Sequence, residues 1–63
     1  MSVEVYDCMG GNTLFTISVP VAEISKYVDL VKAHGVEDAE GNEYKFNDAK
    51  LHNGGFIVYV ENA

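Results

Sequence analysis

Residues 20–35 read PVAEISKYVDLVKAHG, and this stretch decides the fold because it holds the strongest helical pattern in the chain. Pro20 suits a first helical turn, where its fixed φ and missing N–H are tolerated. Gly35 is a natural residue to end a helix. The apolar residues between them recur every three or four positions, as on one side of a helix: Val21, Ile24, Tyr27, Val28, Leu30 and Val31. The stretch therefore predicts one amphipathic helix.

Before the helix, the pattern is that of a β-hairpin. Residues 3–8 alternate apolar and polar side chains, and residues 13–19 are rich in β-branched and aromatic ones. Gly10, Gly11 and Asn12 between them tolerate the positive φ that a hairpin loop requires. The first part of the chain therefore predicts two antiparallel strands.

After the helix, residues 44–46 and 56–60 predict further strands. Asn53-Gly54 is the best hairpin signal in the chain, since a type I′ turn needs positive φ at both central positions. Asn47-Asp48 interrupts the alternation and predicts a bulge or a break. The unbroken apolar run 56–60 favours a central strand or one covered on both faces. A short extra strand at 36–39 stays open as an alternative.

These elements predict a single α+β domain over residues 1–63, in the order β-β-α-β-β. One helix would pack on one face of an antiparallel sheet of about four strands. A chain of 63 residues buries only about 60% of its unfolded surface, which leaves no room for a second domain or a deep cleft. The other sheet face has no helix to cover it. A partner, a second copy or loops are the open alternatives there.

Charge is the most lopsided property of the chain. Ten acidic residues stand against four lysines, there is no arginine, and the net charge is −6. Proteins bind phosphate backbones through clustered Lys and Arg, which this acidic chain lacks. We therefore expect no direct binding of nucleic acid. The same field attracts a basic protein surface and accelerates encounter with it. The alternative is that the acidity only keeps a small protein soluble.

Candidates for catalysis or metal binding are few. Cys8, His34 and His52 are the only soft ligands, and their spacing matches no zinc motif. Cys8 has no evident neighbour that would lower its pKa. The glycine pairs lie in hairpins and match no phosphate loop. We therefore expect no catalytic residue, no metal site and no cofactor.

The single cysteine also bears on the compartment, because a chain with one cysteine forms no internal disulfide, which favours a reducing environment. The first residues lack the basic and then apolar run of a signal peptide. No apolar stretch approaches the roughly 20 residues of a membrane span. We therefore expect a cytoplasmic protein that does not engage a membrane.

A cluster of carboxylates is the most distinctive feature that remains. It lies within residues 37–48, with Lys45 as its only counter-charge. Carboxylates spaced along a rigid edge can imitate a phosphate backbone; the alternative is that they prevent aggregation between strands. Tyrosines expected on the surface would add anchors, because tyrosine buries area and keeps a hydroxyl to pair. The predicted partner-binding residues are Glu37, Asp38, Glu40, Glu43, Asp48, Tyr6, Tyr44 and Tyr59.

In general character the whole chain resembles the small phage-encoded inhibitors of bacterial defence, including many anti-CRISPR proteins. The resemblance rests on small size, strong acidity, the lack of a cysteine framework and a helix on a short sheet, and on no specific motif. It implies a non-enzymatic inhibitor in the host cytoplasm that occludes a nucleic-acid-binding or partner-binding surface of a basic target complex. The alternative is a homodimeric assembly or accessory module that uses the uncovered sheet face or an edge strand.

Overall fold

The chain forms five strands and one α-helix. A computed structural model describes all residues from Met1 to Ala63. In chain order the elements are β1 (Ser2–Asp7), β2 (Asn12–Ser18), a 3₁₀ turn (Val21–Glu23), α1 (Ile24–His34), β3 (Val36–Glu37), β4 (Glu43–His52) and β5 (Gly55–Asn62). The predicted α+β class with one α-helix is confirmed.

The strands form one mixed sheet in the order β2-β1-β5-β4-β3, curled into a half-barrel. Neighbouring strands are antiparallel except β1 and β5, which lie parallel in the middle with Val5 beside Val58. The prediction of about four antiparallel strands is therefore wrong in two details. A fifth strand, β3, pairs with β4, which confirms the alternative of a short strand within 36–39. The first strand pairs in parallel with the last. Parallel neighbours need a long crossover, which is here the whole middle of the chain.

The predicted hairpins are present, and their turns explain why. Asn53 and Gly54 have φ of 46° and 77°, so β4 turns directly into β5 with His52 opposite Gly55. Gly11, with φ of 73°, lies in the loop between β1 and β2. The predicted irregularity after Phe46 is a shift of register in β4, and β5 is the central strand expected of an unbroken apolar run.

The helix α1 lies against β4 and follows directly on the 3₁₀ turn. Val31 is buried, whereas Val21 and Leu30 are 69% and 55% exposed. The predicted apolar stripe is therefore wrong at two positions. Val21 lies in the 3₁₀ turn, before α1 begins, and Leu30 lies on a margin of the stripe that the sheet does not cover. Gly35 ends α1 with φ of 70°, and a Cβ there would collide with the carbonyl oxygen of Tyr44. Glycine therefore lets the chain pass from α1 into β3 beside β4.

The core consists mainly of valine. β-branched side chains pack well on a pleated sheet, and the two central strands supply four fully buried ones on the face toward α1. On the opposite face only Ile57 is buried. The buried apolar residues are Val3, Val5, Val19, Val31, Tyr44, Ile57, Val58 and Val60.

Candidate functional site

Four of the predicted acidic residues lie together at one end of the sheet, where β3 joins β4. The antiparallel register of these strands places Glu37 opposite Glu43. Both side chains are exposed, and so is that of Glu40 in the turn between the strands. We call this group the acidic end; it consists of Glu37, Asp38, Glu40 and Glu43.

The carboxylate of Asp38 organises the turn at the acidic end. Its Oδ1 accepts hydrogen bonds from the backbone N–H groups of Glu40 and Asn42, both at 2.9 Å. Its Oδ2 accepts from the side-chain amide of Asn42 at 3.0 Å and from the hydroxyl of Tyr44 at 3.1 Å. Gly41 completes the turn with φ of 83°. Asp38 therefore positions the neighbouring carboxylates and has little acceptor capacity left for a partner.

These hydrogen bonds also fix the charge of Asp38. The side-chain amide of Asn42 is the largest influence that lowers the pKa of this carboxyl, and the backbone N–H groups and the Tyr44 hydroxyl act in the same direction. Partial burial opposes them, because it disfavours the charged form. The net effect is a pKa below the usual value for aspartate, so Asp38 is ionised at neutral pH.

Tyr44 is not a surface residue, and that part of the prediction is wrong. Its side chain is 7% exposed and belongs to the core, because Tyr44 shares the face of β4 that α1 covers. Burial raises the pKa of the Tyr44 hydroxyl, and the hydrogen bond to Asp38 and the charges of Asp38, Asp7 and Glu40 raise it further. The raised pKa of Tyr44 thus reflects, in part, the negative potential at this end of the sheet.

Two further carboxylates lie near the acidic end, at the ends of the central strands. Asp7 is buried, and its Oδ1 accepts from the N–H groups of Met9 and Gly10, both at 3.0 Å. Glu61 lies opposite Lys45 in the β4–β5 ladder. Asp7 therefore stabilises the first hairpin loop. Lys45, the lysine closest in sequence to the acidic end, already lies opposite the carboxylate of Glu61.

Asp48 lies apart from the acidic end. The register shift after Phe46 separates them, and Asp48 lies opposite Tyr59. Its carboxylate accepts from the N–H of Ala49 at 2.8 Å. It borders a groove of about 570 Å³ between α1 and β4, where the Lys32 ammonium lies 5.3 Å from the centre of the Phe46 ring. The five predicted carboxylates therefore divide into a group of four and a separate residue.

The other two predicted tyrosines lie on the sheet face opposite α1. Tyr6 and Tyr59 are neighbours in the β1–β5 ladder, and their rings meet edge to face with centres 5.8 Å apart. The ammonium of Lys50 lies 5.4 Å from the centre of the Tyr59 ring. Both tyrosines are half-buried. The structure thus places these aromatic residues together, but on a broad face separate from the turn that carries Glu40.

The soft side chains lie in separate places. Cys8 is exposed; its thiol donates to the carbonyl of Val60 at 3.2 Å and its sulfur accepts from the Asn47 amide at 3.3 Å. His34 is exposed in the last turn of α1, and His52 is exposed beside the β4–β5 turn. No group of three or more His, Cys, Asp or Glu side chains has an arrangement that could hold a metal ion.

Searches of protein-family models, curated proteins and solved structures find nothing that matches this chain. The only α-helix, with 11 residues, is too short to cross a bilayer.

The sequence reasoning missed the positioning role of Asp38 and the part that Asn42 plays in it. An aspartate three residues before a glycine is a recognised turn signal, because its carboxylate can accept the backbone N–H groups that follow. Asp38 and Gly41 have that spacing, so the role was open to prediction. The burial of Tyr44 depends on which face of β4 meets the helix, and nothing local in the sequence states that.

Proposed function

We propose that this chain is a non-enzymatic protein-binding module that docks its acidic end on a basic surface of a nucleic-acid-binding complex, as an anti-CRISPR-type inhibitor does. One observation carries the proposal, the register that sets Glu37 directly opposite Glu43. Like charges at directly opposed positions of an antiparallel pair destabilise it. A basic partner would neutralise this repulsion on binding. The relief of the repulsion would then contribute favourably to the binding free energy.

The rigidity of the acidic end supports the same proposal. The hydrogen bonds to Asp38 fix the turn that carries Glu40, and the ladder with β4 fixes Glu37. A partner therefore meets carboxylates carried on an ordered backbone, and binding costs less backbone entropy than it would with a mobile acidic loop. The overall charge of −6 adds long-range attraction to any basic target.

A competition experiment on defined targets tests the proposal. Purified RNA-guided effector complexes of several types, and a panel of other bacterial DNA-binding complexes, would be mixed with the chain before labelled target DNA is added. We expect stoichiometric loss of DNA binding for at least one complex. Raising the salt concentration should weaken this inhibition steeply, because the attraction between exposed charges is screened.

Two double variants of equal charge locate the surface. E37Q/E43Q neutralises the opposed pair at the acidic end. E23Q/D29N removes the same charge from two exposed positions, one at the end of the 3₁₀ turn that precedes α1 and one in the middle of α1. We expect at least a tenfold loss of inhibition for the first pair and little change for the second. Equal losses in both would show that only net charge matters, and no inhibition across the panel would contradict the proposed function.

A further inference from the structure

β2 is an edge strand with only one of the features that normally protect an edge. It pairs only with β1, on one side. Its sequence, NTLFTIS, contains no charged residue and no proline. Every other strand carries at least one charged side chain. Natural edge strands are commonly blunted by charges, proline, bulges or short length, because unpaired backbone groups otherwise invite another strand. Here the one such feature is a bulge at Leu14, near the start of β2.

The free hydrogen-bonding groups of β2 can be assigned from its register. The N–H of Val19 donates to the carbonyl of Met1, and the amino nitrogen of Met1 donates to the carbonyl of Val19, both at 2.9 Å. In an antiparallel ladder such mutually bonded pairs alternate with unbonded ones. Ile17 therefore bonds to β1, while the N–H and C=O groups of Thr16 and Ser18 point away from the sheet.

We infer that the β2 edge is the docking site for a second copy of this chain, paired antiparallel about a two-fold axis at Ile17. In this register Thr16 bonds to Ser18 of the second copy, and Ser18 to its Thr16, which gives two mutually bonded pairs. Ile17 packs against Ile17 of the second copy on the helix side, and Phe15 lies opposite Val19 of the second copy. The bulge at Leu14 stays outside the paired segment.

The distribution of charge favours a second copy of this chain as the partner of the β2 edge. A protein with net charge −6 repels itself over most of its surface. β2 itself has no charged side chain. The Met1 ammonium lies at its end, bonded to the Val19 carbonyl, and the groove of about 340 Å³ there carries one acid and one base, Glu23 and Lys26. The same groove exposes apolar surface of Tyr27 and Leu30. A basic partner finds no carboxylate on β2 itself, and Glu4 of β1, opposite Thr16, already accepts from the Thr13 hydroxyl. An identical strand finds apolar and hydroxyl side chains like its own.

The resulting dimer would contain one continuous sheet of ten strands, twice the five of the monomer. The two acidic ends would lie at its opposite extremes, farthest from the two-fold axis, so that their charges repel least. Pairing through a single edge buries less area than a standard stable interface, so we expect a weak dimer that forms as concentration rises. The inference does not depend on the proposed function, because a monomer would also present the acidic end.

Sedimentation equilibrium from micromolar to millimolar concentration, with variants at position 16, tests the inference. In Thr16→Pro the lost N–H points away from β1, where an edge strand tolerates proline, but half of the mutually bonded N–H groups of the dimer disappear. Thr16→Lys places a charge beside the axis without changing the backbone. We expect the wild type and the matched control Thr16→Val to dimerise, and the proline and lysine variants to stay monomeric with unchanged circular dichroism.

Amide hydrogen exchange followed by NMR identifies the edge directly. On raising the concentration, we expect the amides of Thr16 and Ser18 to exchange more slowly, while that of Ile17, already bonded to β1, changes little. A wild type that stays monomeric at millimolar concentration would overturn the inference. So would a dimer that survives both Thr16→Pro and Thr16→Lys, or one whose newly protected amides lie in β4 or on another surface.

Discussion

The two edge regions of the sheet differ in the charge of the side chains that flank their unpaired backbone groups. At one edge, β3 and β4 carry a row of charged side chains, and Glu37 and Glu43 oppose each other. At the other edge, β2 carries no charge. We propose that the charged edge discourages pairing with an identical edge and attracts a basic surface, and we infer that the uncharged edge pairs with its own kind. In a protein this small, two partner preferences can therefore follow from the placement of a few side chains along two strands.

We expect the largest effect on stability at Gly35, which links α1 to β3 of the charged edge. Gly35→Ala forces a side chain into φ of 70° and against the carbonyl oxygen of Tyr44. We expect a loss of about 3 kcal/mol in the free energy of unfolding, at the upper end for local backbone strain. Urea denaturation followed by circular dichroism measures it.

Gly54→Ala is the matched control for this substitution. Its φ is 77°, but a Cβ there meets no atom within 4 Å. It should lose only the cost of the left-handed conformation, about 1 kcal/mol. Equal losses in the two variants would show that the contact between position 35 and Tyr44 does not hold the charged edge in place.

The next effect concerns pH and the turn of the acidic end. Because the pKa of Asp38 is lowered in the folded chain, its carboxylate contributes stability that is present above its unfolded pKa of about 3.9. That contribution is lost as the pH falls through the lower, folded value. We expect Asp38→Asn to be less stable than the wild type at neutral pH, and the two unfolding free energies to converge toward pH 2.

Glu40→Gln serves as the comparison for the pH series, since this exposed neighbour changes the charge by the same amount. Its stability relative to the wild type should vary much less between neutral and acidic pH. A difference between Asp38→Asn and the wild type that stays constant across the series would mean that the hydrogen bonds to Asp38 do not depend on its ionisation.

The smallest effect tests the opposed glutamates by charge reversal. Glu37→Lys and Glu43→Lys each turn a repulsive pair into an attractive one, so each should raise the free energy of unfolding by about 0.5 kcal/mol. The double variant opposes two lysines and should lose that gain. A double-mutant cycle at low and high salt isolates the coupling, which should shrink with salt. Strictly additive effects would show that the two side chains do not interact across the ladder.

Local features of the fold could be predicted because their causes lie within a few residues. Three examples act over only a few residues: the helical spacing of apolar side chains, the helix end at Gly35 and the turn at Asn53-Gly54. The parallel pairing of β1 with β5 could not be predicted, because Val3 and Val5 alternate in the same way whichever strand lies beside them. The choice of partner strand depends on packing the whole chain, which a period of two residues does not encode.

The candidate site shows the same limit. The acidic end could be predicted from contiguity, since residues 37–43 must lie near one another. The separation of Asp48 from that group depends on the register shift within β4, and the burial of Tyr44 depends on which face of β4 the helix covers. The absence of charge on β2 is visible in the sequence, but it becomes informative only once the topology shows that β2 is an edge.

The parallel pairing of the first and last strands has a mechanical consequence. Because β1 and β5 run in the same direction, a force that pulls Ser2 and Asn62 apart acts along the strands and loads their shared hydrogen bonds in shear. These bonds must then fail together, whereas antiparallel neighbours pulled from the same end open one bond at a time. In a fusion through both termini, the strongest resistance to stretching would therefore lie at the centre of this sheet, between β1 and β5.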